Sequence, residues 1–219
     1  EIAKLYKKEF DEMYSGKFHN LKSKMSEKIY LLSDGTAIKV YFSPQDKGIS
    51  KGVIPLVNGA NKYIYVPAFL ITHKPLTTAL IKAKQRGVDV KIILDATSVG
   101  LRNTSTKELR AAGIPVKIEN YAGKMHSKTM IIDDRYIVTG SANFSNSGEN
   151  KNDENQLIIE NPKLAKFYKD FFLYLWAKIP DKYLKFNPHA ESKYSIGSCS
   201  DGVDNDYDGK IDMADEGCK

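Results

Sequence analysis

The sequence predicts an α/β fold: a mixed, mostly parallel β-sheet sandwiched between helices, with a small disulfide-closed loop at the C-terminus. Three observations carry that expectation. Short Ile- and Val-rich runs alternate with amphipathic helical stretches from about residue 37 to 179. Gly or Asp punctuates the changes from one to the next, as Gly87, Asp95 and Gly113 do. The only two cysteines, Cys199 and Cys218, bracket an Asp-rich segment, a pattern that suggests a disulfide and an oxidising compartment.

In chain order, residues 1–14 place Ile2, Leu5, Tyr6, Phe10 and Met13 at helical spacing, and Gly16 ends that helix. Residues 17–35 read as a polar linker, and 37–42 alternate as a strand. A helix over 49–60 precedes the strand 63–66; a second helix, 75–86, carries Leu76, Ala79, Leu80 and Ala83 on one side. The cycle repeats as strand 88–94, short helix 106–112 and strand 114–118. Two apolar runs, 129–132 and 136–139, follow with Asp133-Asp134-Arg135 between them. A polar loop over 143–155, a strand at 156–160 and an amphipathic helix at 162–179 complete the series. Three regions result: an N-terminal helix and linker (1–35), a catalytic domain (36–190) and an Asp-rich tail (191–219). The stretch 3–14 aligns without gaps with 165–176, so residues 1–14 admit a second reading as the closing helix of a preceding repeat. The chain opens at Glu1 rather than Met, which points to processing or truncation.

No run approaches the 18 or so apolar residues of a membrane-spanning helix. Charge is uneven: of 33 bases and 27 acids, residues 199–219 hold two and seven, leaving about +11 on residues 1–198. A basic body suits an anionic partner such as nucleic acid or a phospholipid surface.

The chemistry concentrates in HSKTMIIDDRYIVTGSAN, residues 126–143. His126 and Lys128 are two apart on an extended chain and project from one face; Ser141 and Asn143, also two apart, leave the adjacent strand. An imidazole, an ammonium, a hydroxyl and an amide around one point suit a phosphate, with one nucleophile and several donors to its oxygens. Glu154 is positioned to accept the imidazole's other N–H, and Asp133 to orient backbone or a basic partner. The motif has no carboxylate cluster for Mg²⁺, so no cofactor is expected in catalysis.

His126-x-Lys128-x4-Asp133 followed by Gly140-Ser141-x-Asn143 resembles the HKD signature of the phospholipase D superfamily. The resemblance extends through NFSNSGENKNDEN, where Glu154 falls at the family's buried acid, and upstream through VYFSPQD and RGVDVKIILD, covering roughly residues 38–180. It implies a phospholipase D-like fold and a metal-independent phosphodiesterase. In that family one motif's histidine forms a phosphohistidine while a second protonates the leaving oxygen, and water or an alcohol resolves the intermediate. This chain carries one motif; His19, His73 and His189 lack the surrounding pattern and are expected on the surface or in loops. A homodimer that brings two motifs together is expected, with a two-motif protein of which this is the C-terminal half as the alternative.

The tail, CSDGVDNDYDGKIDMADEGC, sets Asp204, Asp206, Asp208, the Lys210 carbonyl, Asp212 and Asp215 at EF-hand ligand positions, with Gly209 at the sharp turn. It is similar to the calcium-binding Asp-rich repeats of secreted proteins, which implies a structural Ca²⁺ and a secreted or cell-surface location.

Three functions compete. The first is an endonuclease on DNA or RNA, favoured by the basic body and by similarity to single-motif secreted bacterial endonucleases. The second is a phospholipase D on phosphatidyl lipids, with 67–71 (PAFLI) contributing an acyl groove, and the third a non-catalytic surface module with a relict site. The full set of polar groups argues against the third.

Overall fold

One mixed sheet of eight strands organises the chain in a computed structural model that describes residues 1–25, 28–101 and 103–219. Positions 26 and 27 of the expected linker lie outside the described residues. The strands are β1 (Ile29–Leu31), β2 (Ala37–Phe42), β3 (Tyr63–Ala68), β4 (Asp89–Leu94), β5 (Val116–Ile118), β6 (Met130–Ile132), β7 (Tyr136–Gly140) and β8 (Asn155–Glu160), in the spatial order β1-β2-β8-β7-β6-β3-β4-β5. The helices are α1 (Ile2–Tyr14), α2 (Ile54–Gly59, continuing a π-helical turn Ile49–Val53), α3 (Lys74–Gln85), α4 (Thr106–Ala111), α5 (Asn146–Asn150) and α6 (Pro162–Lys178).

The expectation of a mostly parallel sheet is corrected. Among the described residues only β3–β4 and β4–β5 are parallel; the other five pairings are antiparallel. Parallel neighbours need a crossover, and α3 and α4 supply the two present. The three residues between β6 and β7 allow only a hairpin, and β8 returns against β7 to pair with β2.

Both faces are covered. Ile64, Val66, Ile92, Leu94, Met130 and Val138 face α2, α3 and α4 in the larger core. On the opposite face Tyr65, Ile93, Ile131 and Ile137 pack against Phe172, Leu175 and Trp176 of α6. Val40 and Phe42 meet Ile2, Leu5 and Tyr6 of α1, with Leu157 joining them and Ile159 joining the α6 cluster. Leu157 and Ile159 are two apart on β8, so α1 and α6 form one layer over one face of the sheet.

The expected 17–35 linker is therefore part of the fold. β1 pairs with β2 at the sheet edge, and the fully buried Lys22 ammonium bridges Glu9 of α1 and Asp153. At the other terminus Cys199 and Cys218 form a disulfide. The tail is attached to the chain leading into His126 twice: Ala122 N–H donates to Ile196 O at 2.7 Å, just ahead of the closed loop, and Lys124 Nζ to Asn205 O at 3.1 Å, within it.

Candidate active site

The β6–β7 hairpin carries the signature residues to its two ends. Just before β6, Lys128 forms a bridge with Ala68, and Phe69 N–H donates to Ser127 O at 2.8 Å. Extending the Met130–Val138 register outward sets Lys128 level with Gly140, so Ser141 leaves β7 at the end where His126 and Lys128 arrive. His126 is exposed, its ring edge-on to Phe69 with centroids 5.0 Å apart. Lys128 is buried; its Nζ donates to His126 O at 2.8 Å and lies 5.4 Å over the Phe69 ring. Burial pushes the Lys128 ammonium pKa down, and the carboxylates of Glu154 and Asp95 oppose that push without overcoming it.

Two glycines make the approach to Ser141 and Asn143 possible. A Cβ on Gly140, at φ +144, would lie 2.3 Å from Asn155 O, and one on Gly148 would lie 2.3 Å from Asn143 O. With no side chain there, Ser141 Oγ accepts from Asn155 N–H at 3.0 Å and from Asn155 Nδ2 at 3.3 Å. Asn143 Oδ1 is buried without a hydrogen-bond partner among the described residues, an oriented amide that a ligand donor or water would satisfy.

Beneath this loop lies a pair not anticipated from the sequence. His73, expected on the surface or in a loop, lies in the loop just before α3 but is 3% exposed, and its Nε2 lies 2.7 Å from Glu149 Oε2. Its Nδ1 accepts from Leu76 N–H at 3.2 Å, which leaves the Nε2 proton to donate to Glu149. Burial works to raise the Glu149 pKa, but bonds from His73 and Ser50 hold it below the ordinary value. The pair ties α3, α5 and the π-helical turn together under Asn143. His19, by contrast, is exposed and pairs with Asp153 at 2.8 Å, and His189 is exposed.

Asp133 orients backbone as expected, and the role of Glu154 changes. Asp133 sits in the turn at the far end of the hairpin, where it accepts N–H groups of Asn61, Lys62 and Tyr63 at 2.7, 2.8 and 2.9 Å. It fastens the entry to β3 and is remote from the phosphate-binding end, since β6 separates them. Glu154 is half-buried and accepts from Asn152 Nδ2 at 3.2 Å rather than from His126; it acts on Lys128 through its charge. Asp95 supports the chain instead: its carboxylate accepts Met125 N–H at 2.9 Å, one residue before His126. Asp95 is fully buried beside Glu119, which receives Ala96 and Tyr121 N–H groups, both at 3.1 Å. Sequence reading took Asp95 only as a strand stop; its position at the end of a buried parallel strand was the available signal.

In the tail, oxygens of Asp206, Asp208 and Asp215 lie within 4.8 Å of one another, as do those of Glu191, Asp204 and Asp206. Asp204 Oδ1 is buried without a partner, and these hard oxygen donors fit Ca²⁺. Asp212 lies outside both groups, and its carboxylate accepts the Asp201 and Gly202 N–H groups. Glu191, fully buried and ahead of the repeat, joins the second group, and its two oxygens accept the Asn205 and Asp212 N–H groups at 2.6 and 2.5 Å.

Residues 53–176 match the family described as the PLD-like domain of cardiolipin synthase. The phospholipase D of Rickettsia prowazekii is 37% identical over 131 residues, 60% of this chain and 63% of that protein. The mitochondrial cardiolipin hydrolase of Homo sapiens is 34% identical over 136 residues, 62% of this chain and 52% of that protein. The match thus spans less than two thirds of either relative's length. Among solved structures, Nuc from Salmonella typhimurium, a phospholipase D family member, superposes with a TM-score of 0.60 at 30% identity, covering 66% of this chain and 97% of that one. NucT from Helicobacter pylori, at 18% identity and a TM-score of 0.62, shares the fold.

Proposed function

The chain belongs to the phospholipase D superfamily, and we propose that it is a phosphodiesterase working through a phosphohistidine on His126, with nucleic acid as its substrate. The observation that carries this reading is the solvent-open imidazole of His126 beside the buried ammonium of Lys128, at one end of a basic body. Nucleic-acid affinity rests chiefly on phosphate contacts from such cations.

The unprotonated His126 nitrogen attacks phosphorus. The P–N bond forms as the P–O bond breaks, and the departing oxygen takes a proton from the His126 of a second copy across a two-fold axis. Water, deprotonated by that second imidazole, then attacks phosphorus and releases His126. Lys128 and Asn143 hold the phosphoryl oxygens, and Ser141 is fixed by Asn155 to add a hydroxyl. Asp95 is a positioning residue through Met125, and Asp133 a structural one. Among the described residues, the acidic groups able to close on one ion belong to the C-terminal loop and Glu191, and the groups around the phosphate are a base, a cation and neutral donors. We assign that loop a structural Ca²⁺ held by Asp204, Asp206, Asp208 and Asp215 with Glu191. The disulfide supports a secreted location.

A phosphatidyl-lipid substrate is the second reading, favoured by half-buried Phe69 and Leu70 next to His126 and by what the curated relatives are named for. Nicking of supercoiled plasmid in excess EDTA, set beside choline release from phosphatidylcholine vesicles, separates the two. Nicking that is lost in His126→Ala and falls steeply with salt supports the nuclease. Choline release without nicking replaces it with the phospholipase.

A further inference from the structure

We propose that the outer face of the α1–α6 layer docks this protein onto anionic lipid surfaces, whichever phosphodiester it cleaves. The inner face of α6 is satisfied by Ala165, Phe172, Leu175 and Trp176 against the sheet. The outer face nevertheless carries a stripe of Phe167, Phe171 and Tyr174, at i, i+4 and i+7, which are 68%, 56% and 57% exposed. Lys163 and Lys178 close the two ends of the stripe, roughly 22 Å apart along the axis at 1.5 Å per residue. On α1 the Phe10 and Tyr14 rings, 57% and 84% exposed, stack with centroids 5.7 Å apart. Because α1 and α6 cover the same face of the sheet, both aromatic sets belong to one side of the molecule. Exposed aromatic stripes of this kind mark interaction surfaces.

Charge selects the occupant. The exposed positions of the two helices hold six lysines (4, 7, 8, 163, 166 and 178) against Asp11 and Asp170. Both acids are already engaged, Asp11 with Lys7 at 2.6 Å and Asp170 with Lys166 at 2.5 Å. A second copy docked face to face would set lysines against lysines, a repulsive pairing. An anionic bilayer accepts both features: rings enter the headgroup boundary, and long lysine stems lie over apolar surface with their ammonium groups among the phosphates. None of the described helices is long and apolar enough to cross a membrane, so the contact is interfacial.

The test is flotation of the full chain with vesicles of phosphatidylcholine alone or of equimolar phosphatidylcholine and phosphatidylglycerol. Binding to the anionic vesicles, weakened by salt, is expected. It should fall by roughly tenfold or more in the Phe167→Ser/Phe171→Ser/Tyr174→Ser variant. Turnover of bis(p-nitrophenyl) phosphate should be unchanged in that variant, which also certifies its fold; Phe10→Ser/Tyr14→Ser probes the other helix should the first variant not fold. Equal binding by wild type and variants, or no binding to anionic vesicles, overturns the proposal. So does a triple variant that changes oligomeric state, or that loses single-stranded DNA binding while keeping vesicle binding.

Discussion

Lys128 is where the electrostatics of the site converge: burial favours its neutral form, and the charges of Glu154 and Asp95 keep that effect in check. Removing one of those charges strengthens the downward shift. Glu154→Gln should therefore move the alkaline limb of the kcat/KM profile on bis(p-nitrophenyl) phosphate to lower pH, because Lys128 loses its proton earlier. An unmoved limb would separate Glu154 from Lys128. Lys128→Ala and Asn143→Ala each remove a phosphate donor, and stopped-flow turnover should fall by on the order of 10²–10³ with circular dichroism unchanged. At this scale the spacing of His126, Lys128, Ser141 and Asn143 made the site legible, because side chains two apart on extended chain share a face. The backbone role of Asp133 was legible, though not which backbone it holds, and His73 was not legible at all. A motif counts positions without saying at which strand end each falls, and the partner of His73, Glu149, is 76 positions away.

At the scale of elements, the β6–β7 hairpin divides chemistry from architecture. Its His126 end carries the phosphate groups, and its Asp133 end ties down the entry to β3 with three N–H bonds. Asp133→Ala leaves those donors short of a carboxylate and should cost about 1–3 kcal/mol in urea unfolding, while the folded fraction keeps its kcat. A large loss of kcat without a stability change would return Asp133 to the catalytic groups. Most elements were legible from periodicity, α3 and α6 most clearly through their Pro starts and apolar stripes. Strand direction was not, since a buried antiparallel strand and a buried parallel one present the same apolar run. β1 was missed because it is a three-residue edge strand exposed at two of its positions.

Across the whole molecule, buried acids link the fold to pH. Burial, with Asp95 alongside, pushes the Glu119 carboxyl up to about 7 from an ordinary 4.5. Between those values the folded chain keeps a proton that the unfolded chain releases, so stability falls as pH rises through that window and levels off above it. Glu119→Gln should flatten that slope in thermal melts taken across the window; an unchanged slope would assign it elsewhere. The same acids brace the segment carrying His126, which joins the C-terminal tail to the site through Ala122 and Lys124. The central claim is nevertheless local: one histidine performs the covalent step. It is tested most directly by hydrolysis of bis(p-nitrophenyl) phosphate in excess EDTA, wild type beside His126→Ala. Steady release of p-nitrophenol by the wild type and none by the variant is the result the account predicts. Equal release by both, or a wild-type activity abolished by EDTA while circular dichroism shows the chain still folded, would contradict it.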